Sequence, residues 1–273
     1  MPFCGTLRAA DALPPDWTYA AYFGTGWYRL GDVTDVFAIS YTPTWQLRDA
    51  QLTADGRRRI GIELKFPVTA AVQNFDLSDL ESVVDVDNLS SLSLVPGVEL
   101  EIPMGPRWSL KPLAHLGYGS ELRGDTAALI YWSGLRSRLR FDAGSIHWAL
   151  INSLVYVGYT DRDRGSGRVI PLTTAAEIEQ PLKNKRIGGD PVVLTWHAGY
   201  TTNLQSLAVD LGIPGAKAVD IDDEWELGVA FRKDAKRLKL WRLSWERVGI
   251  AFRVGSGGDF AGIGLYFRSL FDR

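Results

Sequence analysis

The stretch FAGIGLYFRSLF, residues 260–271, sets Ile263, Leu265, Phe267 and Phe271 on one face of an extended chain and Gly262, Gly264, Tyr266 and Arg268 on the other. It is the returning arm of a hairpin that starts at Lys236 and turns at Gly255–Asp259. A soluble antiparallel strand alternates in the same way, so length and repetition have to decide. A strand crossing the hydrocarbon of a bilayer needs about 9 to 11 residues, and the chain supplies about a dozen such segments with almost nothing between them that reads as a helix. We therefore expect an all-β protein, a closed antiparallel transmembrane β-barrel of about 12 strands, closed by this last hairpin. Residues 1–16 are expected to be a leader remnant or periplasmic segment, and residues 17–273 the barrel.

Working back from the hairpin, the sharpest alternation is Ile60, Ile62, Leu64, Phe66 and Val68 against Gly61, Glu63, Lys65 and Thr69. Comparable segments are expected near 17–29, 36–45, 92–102, 108–118, 127–141, 170–178, 192–200 and 224–232. A seventh strand, 145–159, is apolar on both faces, so its facing cannot be assigned. Pro112 inside the fifth implies an edge or a bulge, and a parity switch between Leu243 and Val248 implies a bulge in the eleventh. Short turns at 104–107, 142–144 and 233–236 are expected on one rim, with long loops at 74–88 and 204–223 on the other. Residues 161–167 are expected as a charged loop and 183–190 as a turn. The connections 47–56 and 180–190 are longer than the short rim should carry.

Composition agrees. The 273 residues are 46% hydrophobic and 23% charged with a net charge of -2, which argues against disorder and against nucleic-acid binding. The 10 Trp, 10 Tyr and 11 Phe suit interfacial girdles, and 28 Gly suit closely approaching strands. A single Cys, Cys4, excludes a disulfide framework. No run approaches the length of a membrane helix. The start is too short and polar for a signal peptide, so we expect a mature form, with Ala10-Asp11-Ala12 as the trace of a cleavage site. The expected place is the bacterial outer membrane, with its lipid as the surrounding partner.

If the oily faces point outward, Glu63, Lys65, Glu99, Glu101, Lys111, Arg136, Arg138, Arg140, Glu177, Glu179, Glu224, Glu226, Arg232 and Arg268 share the lumen. They would either line a narrow ion-selective pore or, both signs being nearly balanced, pair and plug the barrel as a structural anchor. A soluble β-calyx around a small ligand, with apolar faces inward, is the alternative. The long loops could display a surface for an unknown partner.

Catalysis and metal binding find little support. A barrel hydrolase of outer-membrane phospholipase type needs a Ser two residues after a His, but the three histidines are followed at that spacing by Gly117, Ala149 and Gly199. Ser145 lies two before His147, in the reverse order. Three scattered histidines and one Cys offer no ligand cluster, and no cofactor is expected.

Glu226-Leu227-Gly228-Val229-Ala230-Phe231, then Arg247 through Gly255 (RVGIAFRVG), and terminal Gly264-Leu265-Tyr266-Phe267 with Phe271 resemble the solitary outer-membrane autotransporter-like β-barrels. The resemblance is strongest in the last third. It implies a twelve-stranded barrel without a secreted passenger, inserted by the barrel-assembly machinery, and no settled activity. The ending Phe271-Asp272-Arg273 departs from the family's aromatic terminus.

Overall fold

A computed structural model describes residues 24–31, 34–73, 90–122, 126–161, 165–209, 219–233, 238–240 and 243–273. Expectations for residues 1–16, for Ala10-Asp11-Ala12 and for the 74–88 loop lie outside the described residues.

Twelve antiparallel staves close into a barrel. They are β1 (Thr25–Leu30), β2 (Thr34–Tyr41 continued by Thr44–Arg48), β3 (Gly61–Lys65 with Val68–Gln73) and β4 (Ser91–Leu94 with Gly97–Pro103). Next come β5 (Trp108–Glu121), β6 (Ala127–Ala143), β7 (Ile146–Asp161) and β8 (Gly165–Val169 with Pro171–Ile187). The last four are β9 (Asp190–Val209), β10 (Val219–Lys233), β11 (Val248–Gly255) and β12 (Phe260–Tyr266). Closure is made by β12 against β1, from Thr25↔Leu265 to Leu30↔Phe260.

The composite staves are single strands nicked by proline. Pro43 and Pro67 lack the N–H a ladder needs, yet Tyr41↔Val68 and Thr44↔Lys65 keep one register across the gap. Pro43, Pro67 and Pro96 accept instead, from the N–H groups of Phe66 (2.9 Å), Val95 (3.0 Å) and Leu116 (2.9 Å). Pro112 interrupts the β4 ladder in the same way and sits opposite Leu135 without a register shift, so it marks neither an edge nor a bulge.

Several expected connections are corrected. The first described strand begins at Thr25, and residues 17–23 lie outside the described residues. The chain from Leu204 is still strand as far as Val209, and strand resumes at Val219, so much of the expected 204–223 loop is wall. The register shift between Thr202 and Leu207 is the bulge that concealed this. Gly165–Val169 is strand within the expected 161–167 loop. β8 runs on to Ile187, and its turn is Gly188–Gly189, with φ of 61° and 88°. Two successive left-handed residues match the strand twist of a tight hairpin, and glycine adopts them without strain. Before β11 there is a separate ribbon, Leu238–Leu240 with Leu243–Trp245, so a strand break replaces the expected bulge, and residues 234–236 of the expected short turn lie outside the described residues.

The faces are the reverse of a soluble calyx. Tyr118 (68% exposed), Trp45 (65%) and Phe252 (57%) point away from the barrel. Inside, the half toward the Leu30–Phe260 rim holds a packed apolar core including Tyr28, Leu30, Ile130, Val157, Ile221 and Phe260. That core explains why β7 is apolar on both faces: Ile151, Val157 and Tyr159 fill the lumen, while Trp148, Leu150 and Leu154 face out.

Lumenal rings lie over glycines directly opposite them. A Cβ on Gly97 would stand 2.2 Å from the His115 ring, on Gly228 2.3 Å from His197, on Gly249 2.4 Å from Tyr266 and on Gly262 2.5 Å from Tyr28. Gly97→Val should overpack this contact at a cost of about 1–3 kcal/mol. The expected outcome is a smaller folded fraction by heat-modifiable gel mobility, partly recovered when His115→Ala is added.

Candidate functional site: the charged half of the lumen

The half of the lumen nearest Thr25 and Tyr266 is charged, and the segment after β12 is folded into it. Alternation along β3, β4, β5 and β6 aims the polar residues inward, and closure brings them together. Glu99, 1% exposed, is the centre of one cluster: Lys65 Nζ stands 2.8 Å away, Arg136 Nη1 3.2 Å, His115 Nε2 3.5 Å and Lys111 Nζ 3.8 Å. Glu63 is 3.9 Å from Lys111 and 3.7 Å from Arg268. Arg268 donates to the Thr42 carbonyl at 2.6 Å. Arg138 holds Glu101 at 2.9 Å.

The second cluster surrounds Glu226, which accepts from His197 Nε2 at 2.6 Å and from Arg273 Nη1 at 2.7 and 3.0 Å. Arg253 bonds the neighbouring Glu224. In the third cluster Arg247, 2% exposed, reaches Glu246 (2.8 Å), Glu179 (3.3 Å) and Glu177 (3.5 Å), while Arg232 grips Glu179 at 2.7 Å. Arg140 is the one candidate left out of these clusters: it shares the face of Arg136 and Arg138 but stands exposed at the rim.

The segment 267–273 ties the clusters together. Asp272 bonds Lys111 through its carboxylate and accepts from Lys65 Nζ on its carbonyl at 2.7 Å. Ser269 Oγ donates to the same carboxylate at 2.6 Å. The N–H groups of Leu270 and Ser269 donate to Glu177 (2.7 Å) and Glu246 (3.3 Å). Phe271, expected on the outer face, is instead fully buried: Arg138 lies 4.0 Å and Lys111 4.7 Å over its ring. Strand periodicity ends at Tyr266, so alternation could not be carried on to Phe271. Only Phe267 stays at the edge, stacked on Trp245 at 5.4 Å.

Sequence reasoning missed His115, His197, Glu246, Arg247, Arg253, Asp272 and Arg273 as members of the clusters. The available signal was Asp272-Arg273 itself: two opposite charges beyond an aromatic need an enclosed or aqueous place. A cavity of about 730 Å3 remains beside the segment, touching Glu99, Glu226, Arg253, Asp272 and Arg273.

Among the described residues no group of His, Cys, Asp and Glu could hold a metal ion. His147 Nδ1 is bonded to Asp142 at 2.7 Å on the exposed 142–147 hairpin.

No family model matches the chain, and no curated protein matches it. Among solved structures, the β domain of the Bordetella autotransporter BrkA is similar at a TM-score of 0.55 and 10% identity, covering 88% of this chain and 92% of that one. The fold is that of an autotransporter β domain. The translocator domain of NalP from Neisseria meningitidis is also similar, at a TM-score of 0.49 and 11% identity, with 89% and 85% covered.

Within this autotransporter-type barrel Glu99 is enclosed by cations, so removing one charge strands the others in a low-dielectric interior. Glu99→Gln should cost about 3–5 kcal/mol, the range for breaking a buried ion pair. The expected readout is a lower urea midpoint of tryptophan fluorescence for the detergent-folded protein. Arg29→Gln, at an exposed pair with Asp35, should change it by under about 1 kcal/mol.

Proposed function

We propose that the protein is an outer-membrane barrel of autotransporter type that serves as a closed anchor, its lumen plugged by its own segment 267–273. Two features support membrane residence: the outward surface is apolar around the barrel, and the ionised side chains are enclosed. One observation carries the closed state. Asp272 is bound by Lys65 and Lys111 on one side of the lumen while Arg273 is bound by Glu226 on the other, so two adjacent residues bridge the bore. Behind them the lumen holds the apolar core around Tyr28, Ile130 and Phe260. The wall partners Lys65, Lys111 and Glu226 are largely buried, so releasing the segment would leave them short of a partner, which favours a fixed plug over a wet pore.

Planar-bilayer recording tests this. The intact protein should be silent, and Asp272→Ala with Arg273→Ala should raise the frequency of open steps at least several-fold. Sustained unit steps from the intact protein would overturn the closed reading in favour of a charge-lined pore. A protein that stays monomeric in water without detergent would overturn the membrane reading itself.

A further inference from the structure

Among the described residues the two rims differ in charge. Toward the Leu30–Phe260 rim the described acids Asp35, Glu121, Asp220, Asp222, Asp223 and Asp259 are exposed or half-buried. Of the described arginines there, Arg29 is bound to Asp35 at 2.9 Å and Arg168 to Gln205 at 2.9 Å. The rim carrying Thr25 and Tyr266 is the opposite. On its β2–β7 side, Arg48, Arg57, Arg58, Arg59, Arg107 and Arg140 are all exposed, against the acids Asp49, Asp55 and Asp142. Asp55 is bridged to Arg57 at 3.1 Å and Asp142 is occupied by His147.

These arginines come from three connections that the fold holds together. Arg48 Nε donates to the Ile60 carbonyl at 2.6 Å and fixes the base of the 49–60 connection. Arg58 Nη1 lies 3.7 Å from Met104 Sδ, joining that connection to the 104–107 turn. Arg140 N donates to the Arg107 carbonyl at 2.8 Å, joining that turn to the end of β6. Directly below, facing outward, are Trp45, Trp108, Phe141 and Trp148, each 42% or more exposed. Such rings settle at the headgroup level of a bilayer, which places the guanidinium groups of the 49–60 and 104–107 connections level with the lipid phosphates. Arginine's planar fork matches phosphate oxygens in pairs.

We infer that this arginine collar binds the phosphate headgroups of anionic phospholipids in the leaflet at the rim that carries Thr25 and Tyr266. The inference rests on the membrane reading above and adds the lipid class and the place of contact.

The test uses the folded protein in nanodiscs made from equal parts of phosphatidylglycerol and phosphatidylethanolamine, with retained lipids counted by native mass spectrometry. The intact protein should retain phosphatidylglycerol in at least threefold excess. Arg58→Gln/Arg59→Gln/Arg107→Gln should abolish the excess while keeping heat-modifiable mobility, and Arg29→Gln/Arg168→Gln should preserve it. An equal retention of the two lipids by the intact protein would overturn the inference, as would loss of the excess in the opposite-rim variant. Preference for lipopolysaccharide over phosphatidylglycerol, or binding of an acidic protein to the collar with no lipid preference, would overturn it too. Failure to enter nanodiscs of either lipid would instead count against the membrane reading, which separates the two.

Discussion

Closure of β12 onto β1 is the constraint on which the rest depends. A sheet with oily side chains on its outer surface can sit in lipid only if no backbone N–H or C=O is left at an edge. The register Thr25↔Leu265 through Leu30↔Phe260 removes that edge. Once closed, every inward residue is confined to a bore of fixed width. Inward charges must then find one another, and inward rings must find space. The ring-over-glycine pairs, such as His115 on Gly97 and Tyr28 on Gly262, answer the second requirement at the scale of single residues.

The bore meets the first requirement by dividing into two layers. Toward the Leu30–Phe260 rim it is filled with apolar side chains, as in the interior of a soluble protein. Toward the other rim it is lined by ion pairs beside a cavity, and there the segment 267–273 contributes the Phe271 ring, the charges of Arg268, Asp272 and Arg273, and two backbone donors. Pairing makes the buried members of these clusters, such as Glu99 and Arg247, tolerable but adds little net stability. Their physical value is positional: each of the three clusters binds the segment as well as itself, so the segment is held from three sides of the wall.

Much of this was legible from residues alone. Alternation in Ile60–Thr69 separates an oily face from a face holding Glu63 and Lys65, and the outward exposure of Phe66 and Val68 follows the same parity. Strand extents were less legible. The Gly188–Gly189 hairpin and the bulge between Thr202 and Leu207 lengthen β8, β9 and β10 beyond what composition marks, because polar residues at a rim pair as readily as apolar ones. β7 resisted assignment since the apolar layer of the bore makes its two faces chemically alike.

The sequence by itself determined an all-strand chain in which most strands, β7 excepted, have one oily and one polar face, since those depend only on a period of two along a local backbone. Which charges meet depended on the tertiary structure. Glu99 and Arg136 lie on different staves, and Asp272 reaches Lys65 only because the chain leaves β12 and bends inward. Such partners are fixed by closure and register, which are properties of the whole ring of strands and of no single segment.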